Sequence, residues 1–271
     1  MRISLGIPSR GVTSSLYRVV EYALSLDVDE IIVGINPTTD SSEFVNHYGD
    51  ARLKLFFHNS DLGLYGNFRF LLHQANSPLF AWLCTDDLIS KEAISILKGR
   101  DHIEANLVLP TWKWVEYNPD QENCFAMDKS IEGVYPCLTN NKALAEAALQ
   151  CEPSWIFGIW NSIYLKSIFP RTNFDWLDCY ILQKTLLSRK VEVLSVSDPT
   201  LIGTWNWASK IPNSVNPKGH WPARAILHQL LLAPKILKIS PFAWFKIALR
   251  MRFLLLLSRS MNQEIKRRRA L

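Results

Sequence analysis

The apolar positions of the first ninety residues alternate between two periods. Ile3–Pro8 is a continuous apolar run ending in Pro-Ser-Arg-Gly, the pattern of a buried strand followed by a loop. Within Ser14–Leu26, Leu16, Val19, Val20, Ala23 and Leu24 recur at helical spacing. Glu30–Ile35 is β-branched and unbroken, then stops at Asn-Pro-Thr-Thr-Asp. Strands buried on both faces read this way, and they occur in parallel sheets. Leu53–Phe57 predicts another strand, Gly66–Ala75 a helix, and Leu79–Cys84 a strand that stops at Thr-Asp-Asp. This order predicts an open α/β sheet, in which ligands bind beyond the carboxyl ends of the strands. Ser9-Arg10, Asn36–Asp40 and Thr85–Asp87 are thereby placed on one rim.

The remaining chain continues the alternation less regularly. Ser90–Leu97 reads as a helix and Asn106–Leu109 as a strand, whereas residues 116–133 are polar and irregular, as in an insertion or loop. Lys142–Gln150 is Ala-rich and helical. Trp155–Phe169 holds an apolar strand or turn and then a helix. Trp176–Leu187 is a helix with Leu177, Ile181, Leu182, Thr185 and Leu186 on one side, and Val191–Val196 a further strand. Thr204–Trp221 is rich in Asn, Pro, Ser and Lys, which suits either a lid or a plain linker. Beyond it, Ala223–Leu232 and Phe242–Leu257 are apolar helices broken by Pro234 and Pro241.

Composition narrows the class. With 271 residues, 48% of them hydrophobic, the chain can bury one large domain, or a domain with an appendage. Nothing in it matches disordered, collagen-like or repeat proteins. The five cysteines are odd in number and none has CxxC spacing, which argues against a disulfide framework or zinc cage and for reduced thiols in the cytosol. Met1–Gly11 does not read as a signal peptide.

Charge is uneven. Lys235–Leu271 carries ten Lys/Arg against Glu264 alone, a net +9, so residues 1–234 carry −4 of the overall +5. Phe242–Leu257 is shorter than the ~20 residues of a membrane span and contains Lys246, Arg250 and Arg252. It fits an interfacial helix with Trp244, Phe245 and Phe253 turned toward lipid. Lys266–Arg269 adds attraction for anionic headgroups, about 1 kcal/mol per charge near the surface. An ordinary packing helix with a solvated basic end has the same pattern. The basic run is too brief, and too poor in interleaved aromatics, for a nucleic-acid partner.

Two carboxylates, Asp86 and Asp87, end an apolar strand on the proposed rim. Leaving both unpaired there is costly. A divalent cation bridging to a diphosphate would satisfy them, since Mg²⁺ and Mn²⁺ take oxygen ligands completed by phosphate and water. The bland alternative is that one of them caps the helix that follows. His220, in the Pro-Lys-Gly-His-Trp segment, is a candidate further metal ligand.

The runs EIIVGINPTTD and NSDLGLYGNFRFLLHQANSPLFAWLCTDDLI resemble the nucleotide-binding half of family 2 glycosyltransferases of the GT-A fold. That family has a strand ending in a D-x-G-S-T-D loop, an N-x-G…N-x-aromatic…A block, and a strand ending in a metal-binding DxD signature. Order, spacing and hydrophobic pattern fit over roughly residues 1–100. A weaker match continues through FGIWNSIYLKSIFP and FDWLDCYILQKTLLSRKVEVL. The resemblance implies a GT-A domain over 1–221, with nucleotide-binding and acceptor-side parts meeting near residue 100, and a basic helical tail over 222–271.

The resemblance also implies roles. Pro8, Ser9 and Arg10 would line the nucleoside pocket, with Asn36 and Asp40 in the loop after the second strand. Asn59, Gly63 and Asn67 would shape the turn that approaches the nucleotide. Asp86 would face ribose or metal, and Asp87 would ligate Mn²⁺ or Mg²⁺. Asp178, counted back from the Arg189-Lys190 turn, matches the catalytic carboxylate, whereas Asp175 falls three residues too early. Three positions depart from the family: Ile35 replaces the Asp that commonly reads the base, Thr85 the first Asp of the signature, and Leu177 a frequent Glu.

The activity implied is inverting transfer of a sugar from a nucleoside-diphosphate donor, UDP-sugar favoured, to a saccharide or lipid-linked saccharide hydroxyl. It belongs with polysaccharide or glycolipid synthesis of the bacterial type. The tail adds an expectation of peripheral contact with the inner face of the plasma membrane through residues 242–271. A nucleotide-sugar pyrophosphorylase shares the sheet type, but Gly6–Gly11 lacks its Gly-rich, Arg-containing loop. A non-catalytic nucleotide-binding scaffold is the other alternative.

Overall fold

The computed structural model describes residues 1–37, 42–116, 131–132, 153–171, 177–188 and 190–204. The chain runs β1 (Ile3–Ser9), α1 (Ser14–Leu24), β2 (Glu30–Ile35), α2 (Ser42–His47), β3 (Leu53–Phe57), α3 (Gly63–Gln74), β4 (Leu79–Trp82) and α4 (Lys91–Lys98). It continues through β5 (Leu107–Pro110), β6 (Trp112–Glu116), β7 (Ile131–Glu132), a 3-10 turn (Pro153–Phe157), β8 (Ile159–Asn161), α5 (Ser162–Ile168), α6 (Leu177–Leu186), β9 (Val191–Leu194) and β10 (Thr200–Thr204).

Two compact units result. Residues 1–135, 154–173 and 190–207 form the first, and 136–153, 174–189 and 208–271 the second. The boundary expected at 221/222 lies outside the described residues.

The first unit carries a seven-stranded sheet in the order β3-β2-β1-β4-β8-β5-β9. All its neighbours pair in parallel except β8, which is antiparallel to both β4 and β5. Every residue of β1, β2, β4 and β5 is buried. The period-2 alternation divides their side chains between two cores. Ile3, Leu5, Ile7, Ile31, Val33 and Ile35 share a cluster with Leu16, Val19 and Val20 of α1 and Ile94 and Leu97 of α4. On the other face the Phe68 ring of α3 stacks on Trp82, whose indole N–H donates to the Phe68 carbonyl. Thr13 caps α1 by accepting from the Leu16 amide at 3.2 Å.

The predicted strand and helix order holds across this sheet, with shifted ends. β4 stops at Trp82: the Leu83 amide makes one further bond to β1, donating to the Gly6 carbonyl at 2.9 Å, and the chain then turns over Cys84–Asp87. α3 begins three residues earlier than predicted, its first amides being held by side chains described below. Two features were not predicted. One is the short helix α2, whose buried Phe44 meets Tyr17 and Tyr48 edge-on at 4.9 and 5.5 Å. The other is a second sheet, β10-β6-β7, in which β7 falls inside the stretch read as irregular. The predicted helices at 142–150 and beyond residue 222, and the lid-like segment 205–221, lie outside the described residues. No helix among the described residues is long and apolar enough to cross a membrane.

Glu30 opens β2 at the amino end of the sheet and is 6% exposed. Its carboxylate accepts from Ser4 Oγ at 2.6 Å, from the Asn76 amide and side chain at 3.0 and 3.1 Å, and from Lys54 Nζ. Burial acts to raise its pKa, but the bonds from Lys54, Ser4 and Asn76 outweigh that and hold it below the ordinary glutamate value. A carboxyl depressed on folding contributes stability above its unfolded pKa of about 4.3 and loses it as pH falls through the folded value. Glu30→Gln is therefore expected to lower the melting temperature at pH 7 and to flatten its fall below about pH 4.3, as read by thermal denaturation across pH.

Candidate functional site

The strand order reverses at β1, since β2 and β3 lie on one side of it and β4 on the other. Side by side in parallel, the tips of β2, β1 and β4 form one rim, with the Asn36 amide donating to the Ser9 carbonyl at 3.0 Å. Such a switch point leaves a crevice for a ligand.

At the β4 tip, the Asp87 amide donates to the Cys84 carbonyl at 3.1 Å and closes a turn over Cys84–Asp87. The chain after the turn is held from two directions. Tyr22 of α1 donates its hydroxyl to the Ile89 carbonyl at 2.5 Å. Burial first, and Asp198 second, push that phenol up to about 12, so it remains a donor. From the other direction, Thr200 Oγ1 accepts from the Ser90 amide at 3.1 Å and Asp198 from the Lys91 amide at 3.0 Å. Ser90 caps α4 by accepting from the Ala93 amide at 2.9 Å. The helix thus uses Ser90, and neither Asp86 nor Asp87, as its cap.

Asp87 is 4% exposed and Asp86 half-buried, and burial holds the Asp86 carboxyl above the usual aspartate range. Cys84 Sγ and one oxygen from each carboxylate lie within 4.8 Å of one another. Burial, the two carboxylates and a hydrogen bond to Asp87 push the Cys84 thiol well up. Two carboxylates this close, in a partly dry turn, repel one another when both are charged, and a positive charge between them relieves that repulsion. Hard oxygen donors suit Mg²⁺ or Mn²⁺, so Asp86 and Asp87 fit such an ion. From the sequence Cys84 is one of five reduced thiols with no assigned role. Its place as the last residue of the apolar run, directly before Thr-Asp-Asp, was the available signal.

At the β2 tip, Asn36 is 8% exposed and both ends of its amide are engaged. Nδ2 donates to Asp61 Oδ1 at 2.7 Å, and Oδ1 accepts from the Leu62 amide at 3.3 Å. Asp61 Oδ1 also accepts from the Gly63 amide at 2.8 Å. These bonds satisfy the first free amides of α3, which is why it starts at Gly63 without a side-chain cap at Leu62. Gly63 has φ +65°, a conformation that favours glycine. Asn36 and Asp61 thereby lock the loop shape, and Asp61 is a rim residue that the motif alone did not single out.

Asn67 donates from Nδ2 to the Gly34 carbonyl at 2.8 Å, while its Oδ1 meets His58 Nε2 at 3.2 Å. A Cβ at Gly34 would press into the Asn67 side chain and come within 3.2 Å of His58 Nε2. Gly34→Ala is accordingly expected to destabilise the fold by about 1–3 kcal/mol, measured by chemical denaturation, because α3 must back away from β2.

Pro8 is buried opposite Gly34, and Ser9 donates its hydroxyl to the Gly11 carbonyl at 2.6 Å, so both shape the tip while Arg10 is exposed beside them. Asp40 and His220 lie outside the described residues. Asp178 is in the first turn of α6, in the second unit, with Leu177, Ile181, Leu182 and Leu186 buried at the predicted spacing.

No protein-family model matches the chain, and no curated protein matches it. Among solved structures it is similar to S. aureus TarS 1-349, with TM-score 0.60 and 19% identity, covering 88% of this chain and 66% of that one. For a longer S. aureus TarS structure the values are 0.58 and 18%, covering 88% and 40%. The chain therefore spans less than two thirds of either TarS structure. It is also similar to the mannosyltransferase PcManGT from Pyrobaculum calidifontis in complex with GDP-Man and Mn²⁺, with TM-score 0.54 and 12% identity, covering 96% and 73%. At such identities the likeness shows the fold, an α/β architecture of GT-A type with a mostly parallel sheet flanked by helices.

Proposed function

We propose that this chain is a glycosyltransferase that moves a sugar from a nucleoside-diphosphate donor to a hydroxyl acceptor, with inversion, in the manner of family 2. The observation that carries the reading is the acidic turn at the β4 tip, beside the switch point, whose carboxylates α4 does not need because Ser90 caps it. The likeness to a mannosyltransferase that holds GDP-Man and Mn²⁺ supports it.

Asp86 and Asp87 would hold Mn²⁺ or Mg²⁺, with His220 the candidate further ligand. The ion supplies positive charge against that growing on the departing diphosphate. Pro8, Ser9, Arg10, Asn36, Asp40 and Asn67 would shape the nucleoside pocket. Asp178 would take the proton from the acceptor hydroxyl as it attacks the anomeric carbon. The acceptor class is a saccharide or lipid-linked saccharide of polysaccharide or glycolipid synthesis.

The test is a panel of nucleotide-sugars, UDP-sugars first and GDP-sugars second, scored by thermal stabilisation with and without Mn²⁺ and then by transfer. The reading expects one nucleotide class to stabilise the protein only when Mn²⁺ is present. Stabilisation by no nucleotide, or equal stabilisation in EDTA, contradicts it.

Residues 242–271 would hold the enzyme to the cytoplasmic face of the plasma membrane, a reading supported by the +9 charge of Lys235–Leu271 and by Trp244, Phe245 and Phe253. The full chain should co-sediment with vesicles containing anionic lipid and be released by salt. A chain ending at Pro241 should stay in the supernatant.

A further inference from the structure

We propose that Cys84 is a third donor of the Asp86–Asp87 site, and that its sulfur shifts the site's preference from Mg²⁺ toward Mn²⁺ and softer divalent ions. The inference rests on the reading of the acidic pair as a metal site, and adds to it a residue that neither composition nor motif assigned.

Cys84 Sγ and a carboxylate oxygen of each aspartate lie within 4.8 Å of one another. Donors at opposite vertices around one ion, with bonds of about 2.1–2.4 Å, stand roughly 4.2–4.8 Å apart. No pair in the trio is too distant to share an ion. The cysteine backbone is fixed as well, since the Cys84 carbonyl accepts the Asp87 amide that closes the turn. The thiol forms no disulfide. It therefore faces the same small volume as the two carboxylates and moves little to join them.

Ligand chemistry then sets the preference. Mg²⁺ requires near-octahedral oxygen ligands and gains little from sulfur, whereas affinity for thiolate increases toward Co²⁺, Zn²⁺ and Cd²⁺. A sulfur at one corner thus handicaps Mg²⁺ more than Mn²⁺. When the ion binds, the S–H bond breaks and the proton passes to solvent, with sulfur donating its electron pair to the metal. No oxidant or reductant takes part.

The probe is Co²⁺, whose bond to sulfur gives a near-ultraviolet charge-transfer band that bonds to oxygen do not. The full chain titrated with Co²⁺ should develop this band, and Cys84→Ser should bind Co²⁺ without it. Mn²⁺ and Mg²⁺ affinities, read from the free-Mn²⁺ electron paramagnetic resonance signal and by Mg²⁺ competition, should give an Mn²⁺/Mg²⁺ ratio about tenfold lower in Cys84→Ser. Cobalt bound without the band, or an unchanged ratio in Cys84→Ser, overturns the inference while leaving the acidic pair as the metal site. If the chain binds neither Mn²⁺ nor Co²⁺, or if Asp87→Asn binds both as well as the parent, the metal site and the inference fall together.

Discussion

Asp87→Asn is expected to reduce sugar transfer at least about 100-fold and to abolish measurable Mn²⁺ binding, with no loss of stability in EDTA. The substitution preserves size and an oxygen that can accept the Cys84 thiol hydrogen, so the turn over Cys84–Asp87 can survive it. What it removes is a negative charge from a crowded pair. Without metal, losing that charge relieves repulsion with Asp86. With metal, it removes a ligand that is 4% exposed, for which water is a poor substitute. The two effects have opposite signs, so melting temperatures in EDTA and in Mn²⁺ separate them. The parent should gain stability from Mn²⁺ and the variant should not. A variant that melts early in EDTA would instead make Asp87 a structural residue.

The second large effect is expected at Asp178. Asp178→Asn should lower kcat by about 10²–10⁴ while leaving Mn²⁺ affinity and donor binding as in the parent. A base that takes a proton from the acceptor hydroxyl must be ionised, so the parent's kcat should fall on the acid side of its pH profile, and the variant should lose that limb. Donor affinity, measured by competition with the nucleoside diphosphate, is the control. A fall in donor affinity with kcat preserved would assign Asp178 to binding and leave the proton acceptor elsewhere.

The sheet was legible because its strands are uniform. Glu30–Ile35 and Leu53–Phe57 match the predicted bounds to the residue, the first stopping at its Asn-Pro break. Ends went astray where a bond from elsewhere in the fold decided them. Asn36, at the tip of β2, helps to start α3 at Gly63 by accepting from the Leu62 amide. That bond is not visible in a local window, because Asn36 is 26 residues from Leu62 in sequence. The second sheet escaped for a related reason: β6 gains its partner β10 only after about eighty intervening residues.

The acidic pair was readable as a pair, but its purpose was not. Asp86 and Asp87 precede a helix closely enough to cap it, and only the bond from the Ala93 amide to Ser90 removes that use. Asn36 shows the converse. The resemblance places it in the loop after β2, and long-range bonds of its amide with Asp61 and Leu62 show that it shapes the rim.

The most direct test of the metal reading is anomalous diffraction at the manganese edge from crystals soaked with Mn²⁺ and a nucleoside diphosphate. One strong anomalous peak is expected about 2.2 Å from oxygens of Asp86, Asp87 and the diphosphate. Nucleotide bound at the rim with no anomalous peak between it and those two side chains would contradict it.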